Sequence, residues 1–138
     1  MLGSLQLNYQ KPTVKEFGDI RSSANWDNPD DSNLEKSIQN TLHWVCARSN
    51  QKLVGIGRVI GDGAMYFYIQ DVIVEPLYQG QGIGRLLMEN IETFLSQHCP
   101  KHATIGLFAA QGKETFYSKY RYLVRNGDPL GHGMCRFV

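Results

Sequence analysis

The chain has 138 residues, 42% of them hydrophobic and 20% charged, with a formal net charge of +1. That length makes one domain, residues 1–138, with a proper core and no room for a second. The near-neutral balance argues against a nucleic-acid partner, and no window approaches the roughly 18 apolar residues that a membrane span requires. Residues 1–15 lack the apolar stretch of a signal peptide. The three cysteines, Cys46, Cys99 and Cys135, are sparse and odd in number, so reduced thiols and a cytoplasmic setting are expected.

Leu5, Leu7 and Tyr9 alternate with polar residues, which predicts a short first strand. Thr13-Val14-Lys15-Glu16 has capping-box spacing and opens a helix expected to reach about Ala24. Trp26 to Asp31 is a polar, proline-containing loop. Ser32-Asn33-Leu34-Glu35 repeats the capping-box spacing and predicts a second helix through about Asn40. Thr41 to Arg48 and Leu53 to Ile60 read as strands joined at 49–52. Gly61-Asp62-Gly63 then turns the chain into a long strand, Ala64 to Val74, completing an antiparallel meander.

Ile83, Leu86, Leu87, Ile91, Phe94 and Leu95 recur at helical spacing, with Glu89, Glu92 and Gln97 on the opposite face, and this helix ends near Pro100. Thr104 to Ala109 is another apolar strand and Lys113 to Tyr120 a short helix. Residues 122–138 would add one or two strands, broken at Asn126-Gly127-Asp128-Pro129 and Gly131-His132-Gly133. The order implies an α+β fold around a mixed sheet.

The segment between the long strand and the long helix points to a ligand. The first N–H groups of a helix lack internal partners and carry the positive end of the peptide dipole. Helices usually answer with a capping Ser, Thr or Asp and early acids, yet Pro76 to Met88 contains no acid and has Arg85 as its only charge. Gly80, Gly82 and Gly84 allow positive φ and close backbone approach, so consecutive amides can cradle a phosphate. The glycine spacing is not that of a dinucleotide fingerprint, and no Gly-Lys-Ser/Thr triplet supports a nucleoside triphosphate site.

Gln79, Gly82 and Gly84 match position by position the acetyl-coenzyme A loop of the GNAT superfamily of N-acetyltransferases, Gln or Arg, two residues, Gly, one residue, Gly or Ala. The preceding Val74-Glu75-Pro76 and the later Phe116-Tyr117-Ser118-Lys119-Tyr120-Arg121-Tyr122 also resemble that family, in its order, across roughly residues 50 to 125. The resemblance implies a largely antiparallel mixed sheet of six to seven strands with about four helices. It implies acetyl-CoA as acyl donor, with Gln79, Gly80, Gln81, Gly82, Ile83, Gly84 and Arg85 at the pyrophosphate. The backbone of Val72, Ile73 and Val74 would lie along pantetheine and present an amide to the acetyl carbonyl. Ala110 stands near the place where many relatives carry a coenzyme-touching asparagine.

Acetyl transfer to an amine poses two proton problems. A lysine-like amine with pKa about 10.4 is neutral in only roughly one molecule in two thousand at pH 7, a penalty of about 4 to 5 kcal/mol. A base or a desolvated pocket must supply the neutral form, and the leaving thiolate gains from a proton. Tyr117 matches the tyrosine that many of these enzymes use as general acid; its alternative is the apolar face of a short helix with Phe116 and Tyr120. Asp71 is the candidate base. On strict alternation it shares a face with Met65, Phe67, Ile69 and Ile73, whose apolar surroundings would raise its pKa; the alternative is a structural acid paired with an arginine such as Arg58. A bulge, common in this strand of the family, would scramble that parity. An ordered water relayed by Tyr68 is the fallback, with Gln70 beside it.

The resemblance places the Trp26–Asp31 loop at the border of the acceptor site. Trp26 could wall a pocket there, and three nearby acids would favour a cationic amine; a solvated capping loop is the other reading. His43 with Cys46, His132 with Cys135, and His98-Cys99 with His102 have local spacings a metal could use, but none forms a pair of pairs, so no metal is expected. Tail strands in the family frequently make dimer contacts, which leaves a homodimer open. The sequence therefore points to N-acetylation of a small amine by direct transfer in a ternary complex. Its rivals are a coenzyme A-binding sensor without turnover, or transfer of another acyl group or to a hydroxyl.

Overall fold

The computed structural model describes residues 4–138, in which the chain divides after Leu107 into two compact units. The first unit carries a sheet in chain order: β1 (Leu5–Asn8), β2 (His43–Ser49), β3 (Lys52–Gly61), β4 (Tyr66–Val74) and β5 (Thr104–Leu107). Strands β1 to β4 are antiparallel and β5 runs parallel to β4. Helices α1 (Val14–Ser23) and α2 (Asp31–Gln39) lie on one face, where Phe17, Ile20, Leu34 and Ile38 join Trp44, Ile56 and Ile73 in a buried cluster. Helix α3 (Ile83–His98) covers the other face. The second unit holds α4 (Glu114–Ser118).

The α+β class and mixed sheet agree with the sequence, but the sheet has five strands among the described residues, not six or seven. Residues 122–138 join no ladder. Their glycines and Pro129 interrupt any long run of pairing groups, and the segment instead closes on itself: Arg125 Nε donates to Gly131 O at 2.6 Å, and His132 Nδ1 lies 3.1 Å from Arg125 O. Other boundaries shift for local reasons. Thr13 forms the expected capping box with Glu16, whereas α2 is capped by the Asp30 carboxylate, 2.9 Å from the Asn33 amide, rather than by Ser32. Strand β4 starts at Tyr66 instead of Ala64 because Asp62 Oδ1 gathers the amides of Ala64, Met65 and Tyr66 into a turn.

Helix α3 sits close against the sheet because β3 has glycine where the two meet. A Cβ at Gly57 would lie 2.8 Å from Ile91 Cδ1, and one at Gly55 would lie 3.1 Å from Ile83 Cγ2. Ile83, Leu87, Met88, Ile91 and Leu95 of α3 are all buried. Each such side chain contributes roughly 1.5–3 kcal/mol of burial, so this helix, with the loop at its start, is firmly anchored.

Candidate functional site

The loop entering α3 has the geometry its composition suggests. After β4 the chain makes one 3₁₀ turn, Pro76–Tyr78, and Gln79 Nε2 reaches back to donate to Val74 O at 3.0 Å. Gly80 and Gly82 have φ of +79° and +85°, in the left-handed region, and a Cβ at either would meet no protein atom within 4 Å. Their lack of side chains therefore serves backbone conformation and an outside approach, not internal packing. Gly84 is instead helical, inside the first turn of α3, so only two of the three glycines use positive φ.

Gly82 is the N-cap of α3, no side chain caps the helix, and its first turn has no acid. The first intrahelical bond runs from Leu86 N to Gly82 O at 3.2 Å, leaving the amides of Ile83, Gly84 and Arg85 without helical acceptors. Arg85 is exposed and pairs with Glu89 at 2.8 Å. A negatively charged group is what this helix end can accept, by dipole and by free donors together.

Strand β4 offers a second feature. It pairs with β5 only from Tyr66 to Ile69, and among the described residues no strand flanks Gln70 to Val74 on that side. The half of β4 containing Val72, Ile73 and Val74 thus leads directly into the anion-accepting loop with one edge not committed to the sheet, suited to pair with an extended chain.

The middle of β4 departs from the alternation expected of it. Ile56 pairs with Ile73 and Arg58 with Gln70, so Gly57 faces both Asp71 and Val72: a bulge, with Asp71 at φ +55°. On β3, Gly55 and Gly57 face α3, and alternation puts Val59 and its partner Ile69 on the same side. Ile56 and Ile73 pack instead with α1 and α2. Phe67 and Ile69 therefore lie on the α3 face, while beyond the bulge Asp71 and Ile73 turn to the α1/α2 face. The single apolar row expected from strict alternation does not exist. Met65, also assigned to it, is exposed and outside the strand.

The Asp71 side chain is fully buried and held between two guanidinium groups, Arg58 Nε at 2.8 Å and Arg21 Nη1 at 2.5 Å. Arg58 is itself buried against the rings of Phe17 and Trp44, and its Nη1 donates to Ser37 Oγ and Thr41 Oγ1, each at 3.0 Å. Both oxygens of Asp71, the candidate base, are thus engaged by guanidinium groups. The ion pair with Arg58, the alternative in the sequence, is the arrangement found.

Tyr68 and Gln70 are half-buried and pair with Ile60 and Arg58, which brings them to the α1/α2 face together with Asp71; Tyr68 also pairs with Gly106 of β5. Trp26 is half-buried, with the Arg21 guanidinium 5.4 Å from its ring centre. Of the acids after it, Asp30 caps α2 and Asp31 begins that helix. Tyr117 lies on α4 in the second unit, half-buried, its ring edge-to-face with Phe116 at 5.0 Å. Sequence reasoning missed Arg21. Nothing local marks it, because its partner Asp71 is fifty positions away. Burial pushes the Cys46 thiol up to about 12, which makes it inert as a nucleophile. Among the described residues no group of three or more His, Cys, Asp or Glu side chains is arranged to hold a metal ion, and no helix is long and apolar enough to cross a membrane.

Known proteins share this architecture. The acetyltransferase (GNAT) domain family matches residues 12–138. GCN5-related N-acetyltransferase 2, chloroplastic, of Arabidopsis thaliana is 31% identical over 131 residues, covering 95% of this chain and 44% of that protein. Histone acetyltransferase TAP1 of Glycine max is 39% identical over 90 residues, covering 64% of this chain and 36% of the other. The chain thus spans less than half the length of these curated relatives. Among solved structures, a Staphylococcus aureus protein of unknown function described as a probable acetyltransferase superposes with a TM-score of 0.86 at 28% identity, covering 96% of this chain and 99% of that one.

Proposed function

Because this chain belongs to the GNAT family of acetyltransferases, we propose that it transfers an acetyl group from acetyl-CoA to the primary amine of a small acceptor, directly, in a ternary complex. The observation that carries the proposal is the uncapped, acid-free start of α3 behind two left-handed glycines, following a strand with one uncommitted edge. The residues fit the donor: amides from Gly80 to Arg85 would hold the pyrophosphate, and the backbone of Val72, Ile73 and Val74 would hold the pantetheine arm. Bound acetyl-CoA would supply the thioester and a thiolate leaving group.

The chain's own residues would handle the protons. Tyr117, by its match to the family tyrosine, would donate to the departing sulfur. Tyr68, presented with Gln70 on the α1/α2 face, would relay the amine's proton through water, since Asp71 is engaged by Arg21 and Arg58. Trp26 would border the acceptor. Three free cysteines support a reducing, cytoplasmic setting.

Thiol release with spermidine, glucosamine and Nα-acetyl-lysinamide tests the proposal. The wild type releases thiol with at least one amine, and Tyr117→Phe loses 10²-fold or more in kcat, as expected of a missing general acid, while binding acetyl-CoA normally. Coenzyme binding with no amine-dependent release would favour the sensor reading, and an unchanged kcat in Tyr117→Phe would remove that residue from the mechanism.

A further inference from the structure

Resting on that reading, we propose that Arg21 is the positioning residue that sets the acceptor wall against the donor strand. Its guanidinium, at the end of α1, joins three elements. Nε donates to Asn28 Oδ1 at 2.8 Å and Nη2 to Asp27 O at 2.9 Å, fixing the loop after α1; Nη1 donates to Asp71 Oδ1 at 2.5 Å in the bulge of β4. The plane of the group also lies near the Trp26 ring, 5.4 Å from its centre. Asn28 in turn donates to Gly18 O at 3.0 Å and to Ser22 Oγ at 3.2 Å, so the loop is folded back onto α1.

Asp71 is the junction at which this clamp meets the sheet. Its left-handed backbone swings the carboxylate to the α1/α2 face, and the next residue, Val72, begins the backbone assigned to the donor. Its other oxygen binds Arg58, which holds the end of α2 through Ser37 and Thr41. One ionic chain therefore runs from the Trp26–Asn28 loop through Arg21, Asp71 and Arg58 to α2. The distance between acceptor wall and donor strand depends on a planar fork serving separate acceptors at once. Lysine, a single ammonium on a flexible stem, cannot reproduce that geometry.

The test compares Arg21→Lys with wild type and with Lys15→Ala, an exposed change on the same helix. Readouts are acceptor KM and kcat with the same three amines, acetyl-CoA affinity by calorimetry, and amide hydrogen exchange. The expected result for Arg21→Lys is a tenfold or greater rise in acceptor KM, kcat within threefold, unchanged acetyl-CoA affinity, and faster exchange confined to residues 24–30. Lys15→Ala leaves all four readouts unchanged. An Arg21→Lys enzyme with wild-type KM and wild-type loop exchange overturns the positioning role alone. Uniformly faster exchange across α3 and the sheet overturns it in favour of a structural role. A wild type that releases no thiol with any of the amines refutes the acetyl-transfer reading and the positioning role with it.

Discussion

Replacing Asp71 by alanine should be among the most destabilising single changes in the chain. The carboxylate is fully buried, and Arg58 beside it keeps only 8% of its side chain exposed, so the mutant leaves a guanidinium inside the protein without its counter-ion. Breaking a buried pair in this way costs about 3–5 kcal/mol, a fifth or more of a typical domain's stability of about 5–15 kcal/mol. At about 3 °C per kcal/mol, the melting temperature should fall by roughly 9–15 °C. Arg21 suffers less, because it keeps Asp27 O and Asn28 Oδ1 as partners. Asp71→Asn tolerates positive φ and keeps one acceptor, but it is neutral and turns an NH2 donor toward the other guanidinium, so it should also be strongly destabilising, though less than alanine. Urea unfolding of both variants and of Asp71→Ala/Arg58→Met gives the energies. Removing the stranded charge should recover much of the loss, so the double mutant will be far less destabilised than the sum of the singles. A cost under about 1 kcal/mol for Asp71→Ala, or strict additivity, would refute the ion-pair argument.

Gly57→Ala puts a Cβ 2.8 Å from Ile91 Cδ1 and should cost about 1–3 kcal/mol in thermal unfolding, with Ile91→Val restoring part of it; no loss would show that α3 shifts freely. The Arg48 side chain holds the Glu16 carboxyl below its ordinary 4.5, with hydrogen bonds of 2.6 and 3.0 Å. That stabilisation is present above pH 4.5 and is lost as pH falls through the lowered folded-state value, so Arg48→Met should flatten the acid limb of a stability–pH profile. Burial lowers the His43 pKa from 6.5, so the unfolded chain binds more protons just below that pH and stability declines as pH drops from 6.5 toward the lowered value. His43→Gln should abolish this decline, which chemical denaturation at a series of pH values measures.

The elements specified by neighbouring residues were legible in the sequence. The Thr13 capping box, the amphipathic α3 and the acid-free glycine loop depend on spacings of a few residues, and each forms. The bulge at Asp71 left no such trace. Both faces of the sheet are covered, so burial alternates without interruption along β4 from Phe67 to Val74 even though the faces exchange midway. Period-two reasoning recorded the alternation and missed the exchange, which only the family resemblance raised, as a bulge in this strand. Arg21 was hidden for a different reason: a charged residue in the last turn of a surface helix needs no partner beyond the helix dipole. Tail strands were expected from apolar residues between turn signals, but a strand needs a neighbour to pair with, and Arg125 bonds instead to Gly131 and His132 within the tail.

The central claim is that the start of α3 binds acetyl-CoA, and calorimetric titration of acetyl-CoA into wild type and Gly82→Glu tests it most directly. A Cβ at Gly82 meets no protein atom within 4 Å, so the substitution costs the fold only its left-handed backbone, about 1–2 kcal/mol. The new carboxylate would occupy the place proposed for the pyrophosphate. Micromolar binding by the wild type, reduced a hundredfold or more in a folded Gly82→Glu, is the predicted result. No binding by the wild type, or equal binding by both proteins, would contradict the account.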